Sequence, residues 1–286
     1  MKIEKPIVVG IGELLWDMLP TGKRAGGAPI NFVYHATQLG AEGYALSAVG
    51  KDELGTEILE ELEKNHIDNL VTSVDYPTGT VNVSLVDGNP TYTIIEGVAW
   101  DHIPFTDKAR DLVRHANAVC FGTLALRSDE SRETIFKLLR SLPDRCMRFF
   151  DVNIRQHFYS KLLIAELLKE ATVLKVNDEE LVLLRSMFNL EGSDRDVCLW
   201  FLKRCNLDYV ILTAGAEYST IYSNKEESTI QTPKVKVADT VGAGDSFSGA
   251  FVYSILTGHT LAEAHRCAVE TAAFVCTKSG AWPAYH

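Results

Sequence analysis

The sequence has no run approaching the ~18–20 apolar residues that a membrane-spanning helix needs. Its apolar start, Ile7–Ile11, is short and interrupted by Gly10, and it reads as a first buried strand rather than a secretory signal. Basic residues are in the minority. The 28 lysines and arginines face 38 aspartates and glutamates, a net charge of −10, which argues against nucleic acid or an anionic membrane as partner. The six cysteines, Cys120, Cys146, Cys198, Cys205, Cys267 and Cys276, include no CxxC pair and read as reduced thiols of a cytoplasmic protein. No HExxH occurs among the eight histidines and no GxSxG elbow is present, so zinc-protease and serine-hydrolase signatures are missing. Gly10-Ile11-Gly12 lacks the third glycine of a dinucleotide fingerprint. Thr21-Gly22-Lys23-Arg24 fails as a Walker A loop, because Asp17 stands where its first glycine belongs and Arg24 replaces Ser or Thr. Internal repeats, low-complexity tracts and long linkers are absent too.

What is there is an ordinary globular composition, 46% hydrophobic and 23% charged, in a chain long enough for one large core. Short apolar runs at Ile7–Val9, Ala118–Phe121, Arg148–Phe150, Val173–Val176 and Tyr209–Leu212 predict buried strands. Between them, helical spacing appears at Asn31–Leu39, Ser131–Leu142, Lys161–Lys169 and Glu179–Phe188. Alternating strands and helices predict an α/β chain with a mostly parallel sheet covered on both faces. Thr80–Val86 breaks that rhythm. It alternates like a half-exposed strand, runs into Asp87-Gly88-Asn89-Pro90 and resumes at Thr91–Ile95, which predicts a β-hairpin serving as a lid or a dimer patch.

The segment that carries chemistry is Asp239-Thr240-Val241-Gly242-Ala243-Gly244-Asp245, followed by a helical pattern with Phe247, Ala250 and Phe251 on its apolar face. Gly242, Ala243 and Gly244 precede a helix N-terminus, where small residues let backbone N–H groups converge on an anion. A carboxylate at Asp245 suits the removal of a proton from a hydroxyl that attacks a phosphoryl group. The same residues also read as a glycine turn with Asp245 as an ordinary N-cap. Asn177 and Glu180 lie one turn apart at a helix start, where an asparagine cap followed by acidic first-turn residues is physically sensible.

The run from Asp239 to Val252 resembles the C-terminal signature of the ribokinase (PfkB) family of carbohydrate kinases. Gly26-Gly27-Ala28-Pro29-Ile30-Asn31, with Gly40 and Gly50 beyond it, is similar to the family's N-terminal signature, departing at Val33 where a smaller residue is usual. The resemblance spans the chain and implies one domain over residues 1–286. The implied fold is a three-layer α/β/α sandwich carrying a small β-sheet lid from segments near 12–35 and 75–103. It implies ATP as phosphoryl donor, Asp245 as catalytic base, and Gly242, Ala243 and Gly244 as the anion hole. Asn177, Thr213 and Gly215 fall on the nucleotide side, although Tyr218 replaces a further family glycine and Ala268 leaves the adenine contacts unassigned. Glu180 would act on Mg²⁺ through water. Asp239, the carbonyl of Val241 and carbonyls near Val275, Lys278 and Gly280 would hold a monovalent cation such as K⁺.

On the acceptor side, Asp17, Gly27 and Asn31 match sugar contacts, and Arg155 in Asp151-Val152-Asn153-Ile154-Arg155 brings positive charge toward acceptor and phosphates. Trp100, in Glu96–Asp101, closes over the sugar or belongs to the core. Gly12–Pro20 and the Asp151–Gln156 run are most like the fructokinase branch, so fructose is the expected acceptor. Ribose, 2-keto-3-deoxygluconate or a nucleoside are alternatives, as is a non-catalytic sugar sensor on the same scaffold. Sugar phosphates are disfavoured, because the N-terminal half has no cluster of lysines or arginines. A homodimer through the lid is a further expectation.

Overall fold

The computed structural model describes residues 5–86 and 89–285. In chain order the first half forms β1 (Ile7–Ile11), β2 (Leu15–Leu19), β3 (Gly22–Gly26), α1 (Ala28–Leu39), β4 (Glu42–Gly50), α2 (Glu53–Lys64), β5 (Asp68–Val74), β6 (Gly79–Val86), β7 (Asn89–Ile94) and α3 (Asp107–Val113). Then come β8 (Ala118–Phe121), α4 (Asp129–Leu139), β9 (Met147–Asp151), α5 (Lys161–Glu170), β10 (Val173–Asn177), α6 (Asp178–Phe188) and α7 (Asp194–Arg204). The chain ends with β11 (Tyr209–Ala214), β12 (Tyr218–Ser223), β13 (Glu227–Gln231), α8 (Ala243–Leu256) and α9 (Leu261–Cys276).

The large sheet has the order β13-β12-β11-β10-β9-β8-β1-β4-β5. It is parallel from β5 to β11 and antiparallel only at β12 and β13. Side chains on a strand alternate between faces. Val8, Ala118, Phe149, Val173 and Ile211 accordingly join a core with α1, α2, α8 and α9, while Val9, Val119, Phe150, Leu174 and Leu212 join a second core with α3 to α7. Two helical layers therefore sandwich the sheet. The expected strands and helices all form, within a few residues of the sequence-derived limits.

A separate sheet has the order β3-β2-β6-β7. β6 and β7 pair as the expected hairpin, and the turn residues Asp87 and Gly88 lie outside the described residues. Of the span 12–35, only Leu15–Gly26 enters this sheet; Ala28 onward is helix α1 on the large sheet. The helix starts there because Pro29 occupies its first turn and Gly27, at φ 118°, supplies a turn that a side chain would strain. Trp16 roots β2 on α2, its indole N–H donating to the Leu54 carbonyl at 2.9 Å. Trp100 is fully buried against Arg127 and Gly79, so it belongs to the core rather than to a mobile cover.

Two glycines bring backbones into contact and fix the site. A Cβ on Gly10 of β1 would lie 2.2 Å from the Pro29 carbonyl oxygen of α1, and one on Gly249 of α8 would lie 2.7 Å from that of Phe32. Helices α1 and α8 thus pack closely on the same face. Beyond α9, the chain returns to α1: Trp282 stacks on Tyr34 with ring centres 5.3 Å apart, and Tyr34 Oη donates to the Pro283 carbonyl at 2.8 Å.

Candidate active site

From β1 the chain moves one way to β4 and β5, then crosses back to β8 on the other side of β1. That reversal opens a crevice beyond the carboxyl ends of β1 and β8, the usual ligand position in an open parallel sheet. Glu13 follows β1 there, and α8 delivers its N-terminus to the same place.

Gly242 is the N-cap of α8 at φ 78°, and Asp245 is the third residue inside the helix, not its cap. Of the three amides expected to form an anion hole, that of Ala243 donates to the Thr240 carbonyl at 3.3 Å, while those of Gly242 and Gly244 have no acceptor among the described residues. The Asp245 amide likewise has no acceptor among the described residues. Unpaired N–H groups at a helix start, backed by the helix dipole, are suited to a phosphate.

The half-buried Asp245 carboxylate accepts on Oδ2 from Asn31 Nδ2 at 2.8 Å, and no donor to Oδ1 is found among the described residues. Asn31 is in turn fixed by Trp282, whose Nε1 donates to Asn31 Oδ1 at 2.7 Å. An indole N–H can only donate. The Asn31 oxygen must therefore face Trp282 and its NH₂ group must face Asp245. Loss of water, reinforced by the charge of Asp151, pushes the Asp245 carboxyl up to about 6 against the pull of Lys175, the Asn31 bond and Arg155. A base in this range is ionised at neutral pH yet retains appetite for a proton.

Beneath the loop lies a buried ion pair that the sequence reading did not single out. Lys175 Nζ lies 2.8 and 3.1 Å from the two oxygens of Asp151. The same ammonium would touch a Cβ on Gly244 at 3.1 Å, so it sits directly against the backbone of the expected anion hole. Burial alone would lower the Lys175 ammonium, but Asp151, Glu180 and Asp245 hold it above its ordinary value. A signal existed: Lys175 is the one charged residue in the otherwise apolar strand Val173–Val176.

Asn177 is the N-cap of α6, and it forms a reciprocal box with Glu180: Asn177 Oδ1 accepts from the Glu180 N–H at 2.7 Å, and Glu180 Oε2 accepts from the Asn177 N–H at 2.9 Å. Glu180 Oε1 also accepts from the Ile154 N–H at 2.9 Å. Burial raises its carboxyl, with Lys175 opposing. Among the described residues no three His, Cys, Asp or Glu side chains group as a metal site. An oxygen donor with spare lone pairs, already oriented by two amides, fits contact through water with a magnesium ion that arrives with a nucleotide. On the next strand Thr213 is the register partner of Asn177, and Gly215 at φ 49° leaves open space where a Cβ would project.

On the other side, Asp17 lies on β2 opposite Arg24 of β3. A Cβ on Gly26 would lie 3.1 Å from Asp17 Oδ2 and 4.0 Å from Asn31 Oδ1, so Asp17 and Asn31 flank one glycine. Gly27 is closer still to its neighbour, with a Cβ position 2.1 Å from the Glu13 carbonyl. Desolvation pushes Asp17 up to about 6 against Arg155 and Arg24. Arg155 is exposed, and its charge opposes the rise of the Glu13, Asp17 and Asp245 carboxyls. Glu13 itself is buried, with no partner for Oε2 among the described residues, and desolvation pushes it up to about 7.

The residues expected to hold a monovalent cation are arranged differently. Asp239 Oδ1 accepts from the Val241 N–H at 3.1 Å, and Oδ2 accepts from the Gly280 N–H at 3.0 Å and from Arg24 Nη1 at 3.2 Å. The guanidinium stands beside that carboxylate, and a cation on the same oxygen would face it at short range. Two like charges 4 Å apart repel by about 4 kcal/mol at an effective dielectric constant of 20. The set as it stands does not fit a monovalent cation.

The family model for "pfkB family carbohydrate kinase" matches residues 17–285. The chain is 29% identical over 298 residues to a sugar kinase named as putative in Pyrococcus horikoshii, covering 96% of this chain and 92% of that one. The crystal structure of the P. horikoshii protein in complex with ATP superposes with a TM-score of 0.84 at 28% identity, covering 96% of this chain and 94% of that one. An ATP-dependent 6-phosphofructokinase of Thermoanaerobacterium thermosaccharolyticum is 26% identical over 276 residues, 89% of this chain and 83% of that one. Fructokinase-2 of Solanum lycopersicum is 26% identical over 307 residues, 97% of this chain and 92% of that one.

Proposed function

The chain belongs to the pfkB family of carbohydrate kinases, and from that premise we propose that it transfers the terminal phosphoryl group of ATP to a primary hydroxyl of a small sugar, fructose first, with Asp245 as general base. The observation that carries this reading is the Asp245 carboxylate, fixed by Asn31, beside the open amides at the start of α8. Similarity to fructokinases supports fructose over other acceptors, and Asp17 and Asn31 around Gly26 supply the acceptors and donors a polyol needs.

In this reaction Oδ1 of Asp245 takes the hydroxyl proton, Oδ2 being held by Asn31. The sugar oxygen bonds to the terminal phosphorus while the bond to the bridging oxygen breaks, and its electron pair leaves with ADP. The amides of Gly242, Gly244 and Asp245 receive charge on the transferring group, and Lys175 adds a fixed positive charge behind them. Glu180 would hold, through water, a Mg²⁺ ion brought by the nucleotide, which would supply charge neutralisation on the phosphates.

The test is an ATP-dependent phosphorylation screen across fructose, ribose, 2-keto-3-deoxygluconate, nucleosides and fructose 6-phosphate, with products identified by NMR. The reading expects fructose-dependent ADP release and a phosphate on a primary carbon. Sugar binding by calorimetry without any acceptor-dependent ADP release would instead favour the sensor.

A further inference from the structure

We propose that Arg24 is a built-in replacement for a monovalent cation behind the anion loop, so that this kinase works without K⁺. The inference rests on the kinase reading above and adds a residue from the small sheet to it. Three pieces of backbone meet at Asp239. The loop Asp239–Gly242 leads into α8, the segment Ser279–Ala281 leaves α9, and β3 carries Arg24. The first two are in direct contact: a Cβ on Gly242 would lie 2.8 Å from Ala281 Cβ. Arg24 closes the third side. Its Nη1 donates to Asp239 Oδ2 at 3.2 Å and its Nη2 donates to Ser279 Oγ at 2.9 Å.

The arginine also fills the space. Glycine at 280, with φ 82°, leaves room for the guanidinium, because a Cβ there would sit 3.2 Å from Arg24 Nη1 and 3.3 Å from its Cδ. The side chains of Arg24 and Asp239 are 37% and 23% exposed, so the pair lies in a partly dry seam where a charge acts more strongly than in open water. A guanidinium is always charged and presents several donors in a fixed plane. It therefore does what a bound cation would do for Asp239: it balances the carboxylate that receives the Val241 and Gly280 amides and so holds the loop before Gly242 in shape.

The arginine's position has a second consequence. Arg24 is the cross-strand partner of Asp17, the expected acceptor contact. Seating of the small sheet is thereby tied to the conformation of the phosphate loop by one side chain, where a free ion would leave them independent.

The experiment compares wild type with Arg24→Gln in KCl and in tetramethylammonium chloride at equal ionic strength, reading both turnover and thermal midpoint. Wild type is expected to turn over within about twofold in the two salts, with one midpoint. Arg24→Gln is expected to lose about tenfold or more in tetramethylammonium and to recover with K⁺, while K⁺ raises its midpoint, because the vacated carboxylate and carbonyls then accept the ion. Several-fold activation of wild type by K⁺ overturns the proposal. So does an Arg24→Gln variant whose deficit and midpoint ignore K⁺, or one that keeps full turnover without it. If no acceptor is phosphorylated by any variant, the kinase reading fails, but the K⁺ response of the midpoints still decides the role of Arg24.

Discussion

Asn31 and Asp245, 214 residues apart, share a 2.8 Å hydrogen bond in which the amide donates to the carboxylate. The bond exists because Gly249 lets α8 lie against α1, and its polarity is enforced by Trp282, which occupies the amide oxygen. Asn31 therefore orients the base as well as flanking the acceptor crevice.

Trp282→Phe keeps an aromatic ring against Tyr34 but removes the N–H that holds Asn31, along with part of the indole. The Asn31 amide is then free to turn its oxygen toward Asp245, which removes a bond that lowers the base's pKa. Turnover should fall about 2–10-fold, the worth of one hydrogen bond, and the acid limb of the pH–rate profile should move up. A structural defect alone would leave the limb in place, so the profile is the deciding measurement.

Asp245→Asn should reduce turnover by at least about a hundredfold while sugar binding by calorimetry persists. Because the ionised form is the active one and its carboxyl is pushed up to about 6, wild-type turnover should decline as pH falls through that value. A variant with undiminished turnover would remove Asp245 from the chemistry.

Lys175 and Asp151 should move that limb in opposite directions. Lys175→Met deletes a charge that lowers the Asp245 pKa and shifts the limb up; Asp151→Asn deletes one that raises it and shifts the limb down. Each change breaks a buried ion pair and should cost about 3–5 kcal/mol in denaturant unfolding, while Lys175→Met with Asp151→Leu should recover most of that loss. Limbs moving the same way would contradict this electrostatic arrangement.

Glu13→Gln should stabilise the protein at alkaline pH. The folded carboxyl titrates near 7, above its ordinary 4.5, so the folded state binds more protons between these values. Stability is then lost as pH rises from about 4.5 to 7, and the deficit is constant above that. The neutral amide escapes the deficit. Its thermal midpoint should exceed that of wild type at pH 8 and converge with it at about pH 4–5, as melts at both values will show.

Much of this was legible locally. The strand Ala118–Phe121 and the strand begun at Tyr209, read to Leu212 and observed to Ala214, follow from apolar runs, the hairpin β6–β7 from alternation, and the α8 N-terminus from three small residues before an apolar face. Other elements escaped because their signals are weak or divided. β13 has only alternating half-buried residues, and β2 and β3 are short strands whose apolar runs are interrupted by charges at Asp17, Lys23 and Arg24. Of the site, the glycine loop, Asp245, Asn31 and Asp17 could be named from the chain. Lys175, Glu13, Arg24 and Trp282 could not, although Lys175 was visible as a charge inside a buried run.

By itself the sequence determined the α/β alternation, the helix starts and the glycines at which backbones meet, because spacing of 2 or 3.6 residues and the stereochemistry of glycine act over a few bonds. Which charges meet was decided only by the tertiary structure. Arg24 reaches Asp239 across 215 residues and Trp282 reaches Asn31 across 251, contacts set by strand order, the crossover at β1 and the close packing of α1 on α8. No local rule selects one buried carboxylate's partner from another. Desolvation forces each such group to find one, and the fold dictates which is within reach.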